Sequence, residues 1–221
     1  MKVCGVDDAG RGSMIGPMVI AGISIEKKNI NKLRKLGARD SKKLSPKKRD
    51  FLYKEILKVV DDYHVIRIPP KTIDKYVFKH NLNHLEAQKM ADVITHLKSD
   101  ISYVDSCDIN ATRFGREISD LSNKSKVKSY HHADSRFVVV SAASIIAKVS
   151  RDRSIARLNK NYEFGSGYPS DKKSVNFVKK MVAAKKPLPS SDVKVGNLFK
   201  KYSVLVNCFC NHHCMIFIKW H

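Results

Sequence analysis

Asp7 and Asp8 stand side by side near the start of the chain, and the run continues Ala9-Gly10-Arg11-Gly12. Two acids, flexible backbone donors and a cation thus fall within six residues. A third acid, Asp105, closes the apolar run Ile101-Ser-Tyr-Val, and a fourth, Asp134, precedes a long apolar stretch. Taken singly, each aspartate has an ordinary structural reading, at a strand-end turn or, for Asp134, as the cap of a helix. Taken together they have another. Carboxylates gathered at one place repel, and some stay protonated unless a cation lies among them. An all-oxygen ligand set favours Mg²⁺ or Mn²⁺ over Zn²⁺. Two such ions about 4 Å apart can activate water and stabilise the leaving oxygen of a phosphodiester.

Bringing these acids together is the task of short strands set among helices. Lys2–Val6 and Met18–Ile25 read as strands joined through a glycine-rich stretch, hence a hairpin. Ser45 and Pro46 read as N-cap and first residue of a helix carrying Leu52, Ile56, Val59 and Val60 on one side. Tyr63–Ile68 reads as a strand closed by Pro69 and Pro70. Asn83 and Glu86 form a capping-box pattern for a helix that buries Leu85, Met90, Ile94 and Leu97. Ile101–Val104 and Val127–Tyr130 are further strands, Phe137 to about Leu158 is helical, and a turn at 165–171 leads to a last helix at Lys172–Ala184. In the long helix Ser141, Ser144, Lys148 and Arg151 share one face, open to solvent or to substrate, while Ala142, Ile145, Ile146 and Val149 face the core. Strands interleaved with helices imply an α/β fold, a mixed central sheet flanked by helices with a helical C-terminal portion.

The 221 residues carry 42 Lys and Arg against 21 Asp and Glu, a net charge of +21. An anionic polymer is the first partner such a charge implies. Ser41, Lys42, Lys43, Lys47, Lys48 and Arg49 cluster beside a helix N-terminus, a place that favours phosphate. The longest apolar run, Met14–Ile25, is broken by Gly16, Pro17 and Gly22 and is too short to span a bilayer. The opening residues do not form a signal peptide, so a cytoplasmic protein is expected. Five unevenly spread cysteines argue against a disulfide framework. The tail carries Cys208, Cys210, His212, His213, Cys214 and His221, whose spacing matches no standard zinc motif, and residues 191–221 read as an atypical extension of a domain covering 1–190.

With these residues in view, the chain resembles ribonuclease HII, most closely its archaeal members. Asp7-Asp8-Ala9-Gly10-Arg11-Gly12 resembles the family's DEAGRG signature, and Asp40 to Ser45 its DSKKLS segment. Val104-Asp105-Ser106 is similar to its central acidic strand end. Ala133-Asp134, Ser141 to Lys148 and Arg151-Asp152 are similar to its AD, SAASIIAK and RD elements, and Gly165 to Asp171 to its GSGYPSD loop. The resemblance implies a ribonuclease H-like fold and a metal-dependent endonuclease. Such an enzyme cuts the RNA strand of RNA–DNA hybrids, or a single ribonucleotide in duplex DNA, and leaves 5′-phosphate and 3′-hydroxyl ends. It implies that Asp7 bridges two Mg²⁺ or Mn²⁺ ions, that Asp8 and Asp105 hold the ion on the leaving-group side, and that Asp134 holds the ion that binds the attacking water. Gly10, Arg11 and Gly12 would grip 2′-hydroxyls through their backbone, Tyr168 would pack on the sugar at the RNA-to-DNA junction, and Ser41, Lys42 and Lys148 are further candidate substrate contacts.

Three departures stand out. Position 8 is Asp where the family usually has Glu, His132 stands where many relatives have Lys, and the family's later Arg-x-Ser-Trp element is not recognisable near Val193 to Asn197. Nothing in the sequence demands more than a monomer, and the tail shows no clear sliding-clamp motif. Two other classes share parts of the pattern: a non-catalytic basic nucleic-acid-binding protein, and a DNA nuclease of the same broad fold, of resolvase or transposase type.

Overall fold

The computed structural model describes residues 1–38 and 44–183. Ser41 and Lys42, the zinc-type ligands of the tail and the proposed 191–221 extension lie outside the described residues.

In chain order the elements are β1 (Lys2–Ala9), β2 (Met18–Glu26), a 3₁₀ turn at Lys27–Asn29, α1 (Ile30–Lys35), α2 (Pro46–Val59), β3 (Asp62–Ile68) and α3 (Pro70–Phe78). There follow α4 (Leu82–Leu97), β4 (Ile101–Asp105), α5 (Ala111–Leu121), β5 (Val127–Tyr130), α6 (Ala133–Arg136), α7 (Val138–Tyr162) and α8 (Lys172–Ala183). The five strands form one mixed sheet in the order β3-β2-β1-β4-β5. β1 runs antiparallel to β2 and parallel to β4, and β4 runs parallel to β5. The expected α/β architecture with a mixed sheet is therefore present.

Contacts divide the chain into two compact units. One comprises the described residues of Met1–Ala9, Val19–Arg67 and Asn83–Ser150; the other comprises Gly10–Met18, Ile68–Leu82 and the described residues from Arg151 to Ala183. The first contains nearly all of the sheet. Its core joins Val3, Val19, Ala21, Ile23 and Ile25 of the β1–β2 hairpin to Val140, Ala142, Ile145, Ile146 and Val149 of α7. Burial of apolar area on that scale is the main force holding the sheet to the helix. The second has a smaller core of Met14, Ile15, Ile155, Phe164 and Val178.

Period-two alternation puts Val3, Gly5, Asp7 and Ala9 on one face of β1. A Cβ at Gly5 would overlap the backbone of Val139 and Val140, so only glycine lets β1 lie this close to the start of α7. Asp7, two residues on, is thereby carried against the same helix.

Several local expectations change. Asn83 lies inside α4 rather than capping it, and its amide donates to Asp108 Oδ2 at 2.9 Å. Pro70 does not merely stop β3 but opens α3, where its missing N–H costs nothing. Ser45 does cap α2, accepting from Lys48 N at 3.3 Å.

Candidate active site

Val6 of β1 pairs with Val104 of β4, so the next residues on these parallel strands, Asp7 and Asp105, leave the ladder as neighbours. Asp7 is only 4% exposed. Its carboxyl titrates well above the ordinary range, first because it is buried, then because the charges of Asp8 and Asp105 repel its own. Two donors work in the opposite direction, the Ser144 hydroxyl and the Asp8 N–H, the latter 2.7 Å from Oδ1. Strand alternation turns Asp8 to the face of β1 opposite Asp7, and it is half-buried. Asp105 accepts a 2.6 Å hydrogen bond from Ala133 N, the first residue of α6.

That bond ties β4 to the helix carrying Asp134. Asp134 is the second residue of α6 and does not cap it; the cap is His132, which sits in the left-handed region at φ 54°. The short helix is braced by aromatic contacts. Phe137, which separates α6 from α7, stacks on Tyr103 at 4.4 Å and leans on Tyr130 at 5.2 Å, and the Arg136 guanidinium lies 4.5 Å over Tyr130. His131 and His132 are exposed.

The polar stripe of α7 corrects the sequence reading. Ser141, Ser144 and Arg151 are buried, and their partners are internal. Ser141 Oγ donates to the carbonyl of Ala38, and Lys148 Nζ donates to Ser144 Oγ at 2.8 Å. Ser144 is thus a contributor that spacing alone did not single out. The signal available was the near-absence of charge around this helix between Phe137 and Ala147, which leaves no solvent-facing side for a polar stripe to occupy.

The second unit builds the loops. Gly10 has φ 91°, and a Cβ there would collide with the Arg151 side chain. Ser13 closes the turn by donating from Oγ to Gly10 O at 2.8 Å. Met14 N and Ile15 N donate to Gly167 O at 2.8 and 3.2 Å, which joins the Gly10–Met18 loop to the loop carrying Tyr168. That second loop is pinned by Asp171, whose Oδ2 accepts from Ser166 N at 2.7 Å and whose carboxyl is held below its usual range chiefly by that N–H. Arg151 Nη2 donates to Ile15 O and to Ser166 O, each at 3.2 Å, and its guanidinium lies 4.2 Å over the Tyr168 ring. Burial pushes the Arg151 pKa down, against the charges of Tyr168 and Asp152.

The donor set suits a hard divalent cation. Asp7, Asp8 and Asp105 offer only oxygen, and the mutual repulsion that raises Asp7 is the kind a cation relieves. Among the described residues, no three Asp, Glu, His or Cys side chains are already drawn in to ligand spacing.

A mixed sheet that gathers acids at parallel strand ends against one long helix defines an acid-site α/β nuclease of the ribonuclease H-like class. The comparisons make this specific. The family model "Ribonuclease HII" matches residues 4–190. A ribonuclease HII of Cenarchaeum symbiosum is 56% identical over 179 residues, 81% of this chain and 87% of that protein. Among solved structures, ribonuclease H2 of Pyrococcus horikoshii superposes with a TM-score of 0.80 at 40% identity, covering 91% of this chain and 100% of that one. The structure of a PCNA:RNase HII complex from Archaeoglobus fulgidus gives 0.82 at 38% identity, covering 88% and 94%. The chain belongs to the ribonuclease HII family and is a metal-dependent endoribonuclease. No helix among the described residues is long and apolar enough to cross a membrane.

Proposed function

We propose that this enzyme hydrolyses the RNA strand of RNA–DNA hybrids and single ribonucleotides embedded in duplex DNA, selecting the 5′-RNA–DNA-3′ step and leaving 5′-phosphate and 3′-hydroxyl ends. Asp7, Asp8, Asp105 and Asp134 would hold two Mg²⁺ or Mn²⁺ ions. Bound there, the ions supply activation of the attacking water and charge to balance the leaving oxygen. The remaining work belongs to the chain. Ser144 and the Asp8 N–H orient Asp7, and Lys148 holds Ser144 in turn. Ala133 N fixes Asp105.

Selection of RNA falls to groups that sense a 2′-hydroxyl without reading the base. These are the backbones of Gly10, Arg11 and Gly12, with Tyr168 packed on the adjoining sugar. Ser41, Lys42 and Lys148 add contacts to phosphate or its surroundings. The excess of 42 basic over 21 acidic residues supplies sequence-independent attraction to the duplex. The biological role is removal of ribonucleotides and RNA primers from DNA, by a cytoplasmic monomer. Association with a sliding clamp, as in the Archaeoglobus complex, is open to a binding assay.

The observation that carries this reading is Asp7, buried at a strand end between Asp8 and Asp105 with its proton affinity raised. The test is a DNA duplex with one embedded ribonucleotide beside its all-DNA twin, each with Mg²⁺, Mn²⁺ or EDTA. Cutting of the first duplex alone, and only with a divalent ion, is expected. Cutting of both would indicate a DNA nuclease, and binding without cutting would indicate a non-catalytic protein.

A further inference from the structure

Arg151 is only 2% exposed and ranks first by volume among the fully buried side chains of the described residues. Taking a guanidinium out of water is costly, and an apolar residue would fill the same space without that cost. What an apolar residue could not do is hold two carbonyl groups at once. Arg151 Nη2 reaches Ile15 O in the Gly10–Met18 loop and Ser166 O in the 165–171 loop, both at 3.2 Å. The same guanidinium lies over the Tyr168 ring, 4.2 Å from its centre, and leaves no room for a side chain at Gly10. One planar group therefore touches both loops to which ribose sensing is assigned and also the ring that would meet the sugar. Ile15 is held from both sides, its N–H given to Gly167 O at 3.2 Å and its carbonyl taken by Arg151.

We propose that Arg151 is a positioning residue for recognition of the RNA–DNA junction: it sets the plane of Tyr168 and locks the glycine loop to the Tyr168 loop. The proposal rests on the reading of those loops given above. It makes a differential statement. In a duplex with one ribonucleotide, a single 2′-hydroxyl and the deoxyribose beside it carry all the information, so the orientation of Tyr168 matters fully. Inside a long RNA tract the adjoining sugar is ribose, and the contribution of Tyr168 is smaller.

The experiment compares Arg151→Lys and Arg151→Met with the unsubstituted protein on both substrates in Mg²⁺. Lys keeps the charge but has neither the fork nor the planar face. It guards against a fold-breaking effect of Met, and circular dichroism establishes which variants are folded at the assay temperature. The kcat on the single-ribonucleotide duplex should fall on the order of 100-fold, the scale of a small misplacement of a positioning group. KM should stay within about twofold, because phosphate contacts dominate affinity. The long hybrid should lose several times less. Amide exchange at Met14, Ile15 and Gly167 should accelerate in the folded variants. Adding Tyr168→Ala to Arg151→Lys should lower the ratio of the two activities no further than Tyr168→Ala alone. Equal losses on the two substrates, or multiplying losses in the double variant, would overturn the role of Arg151 while leaving the ribonuclease reading intact. Failure of the unsubstituted protein to cut either substrate would overturn both.

Discussion

Replacing Asp7 by Asn keeps the shape of the side chain and removes the charge that a divalent ion requires. A metal-supplied stabilisation of several kcal/mol is then lost. At about 1.4 kcal/mol per tenfold, cleavage of a ribonucleotide duplex should fall on the order of 10³-fold, read as kcat/KM. The same substitution has an opposite effect on stability. The folded protein binds the Asp7 proton more tightly than the unfolded chain does. The associated stability is present below the ordinary carboxyl range near pH 4 and is lost as pH rises through the elevated value. In EDTA, thermal scans should therefore show Asp7→Asn more stable than the unsubstituted protein at neutral pH, with the gap closing towards pH 4. Added Mg²⁺ should raise the melting temperature of the unsubstituted protein and not that of the variant. Asp8 poses a different question of reach. It leaves β1 on the side opposite Asp7, so its carboxylate must turn round the strand end to share a ligand site. Asp8→Glu, which restores the usual family residue, should lower the Mg²⁺ concentration for half-maximal activity, measured by metal titration.

The elements that hold these residues tolerate little change where backbones meet. Gly5→Ala would push a methyl into the Val139 backbone. Because the obstacle is main chain, relaxation is limited, and a loss of about 1–3 kcal/mol or more is expected from urea unfolding, with the m-value unchanged. The acid-bearing strand ends were legible in the sequence because β1, β2 and β4 carry apolar runs bounded by turn residues, and α2 because Ser45-Pro46 announces its start. Other elements were not. The interior of α5 is interrupted by Gly115, whose absent Cβ makes room for Ser129, a tertiary reason that no local pattern carries. α3 was hidden because Pro69-Pro70 reads equally as a strand stop and as a helix start. Of the candidate site, the four aspartates were proposed from type and spacing, and the structure sets Asp8 and Asp105 close enough to Asp7 for their charges to act on it. Ser144 and Arg151 could not be assigned roles, because what each does depends on partners distant in sequence, Asp7 for one and Ile15 and Ser166 for the other.

At the scale of the whole molecule the dominant quantity is the net charge of +21. It makes binding to any duplex, with or without ribose, a matter of counterion release. If six to ten phosphates are contacted, affinity should drop by roughly 10³–10⁵ between 50 and 200 mM salt. The KM for a ribonucleotide duplex should climb steeply over that range while kcat changes little, and the all-DNA twin should compete as an inhibitor with a similar salt slope. Discrimination against DNA is then expressed in turnover rather than in binding, which parallel binding and cleavage titrations would separate.

The left-handed backbone of His132 has a bearing on how this enzyme can be diversified. At φ 54°, Gly, Asn and Asp are accommodated readily, whereas branching at Cβ is a genuine misfit. This exposed position, two residues before Asp134, is therefore closed to Val, Ile and Thr by its backbone conformation. In a saturation library at this codon sorted for soluble protein, those three residues should be depleted and Asn and Gly retained.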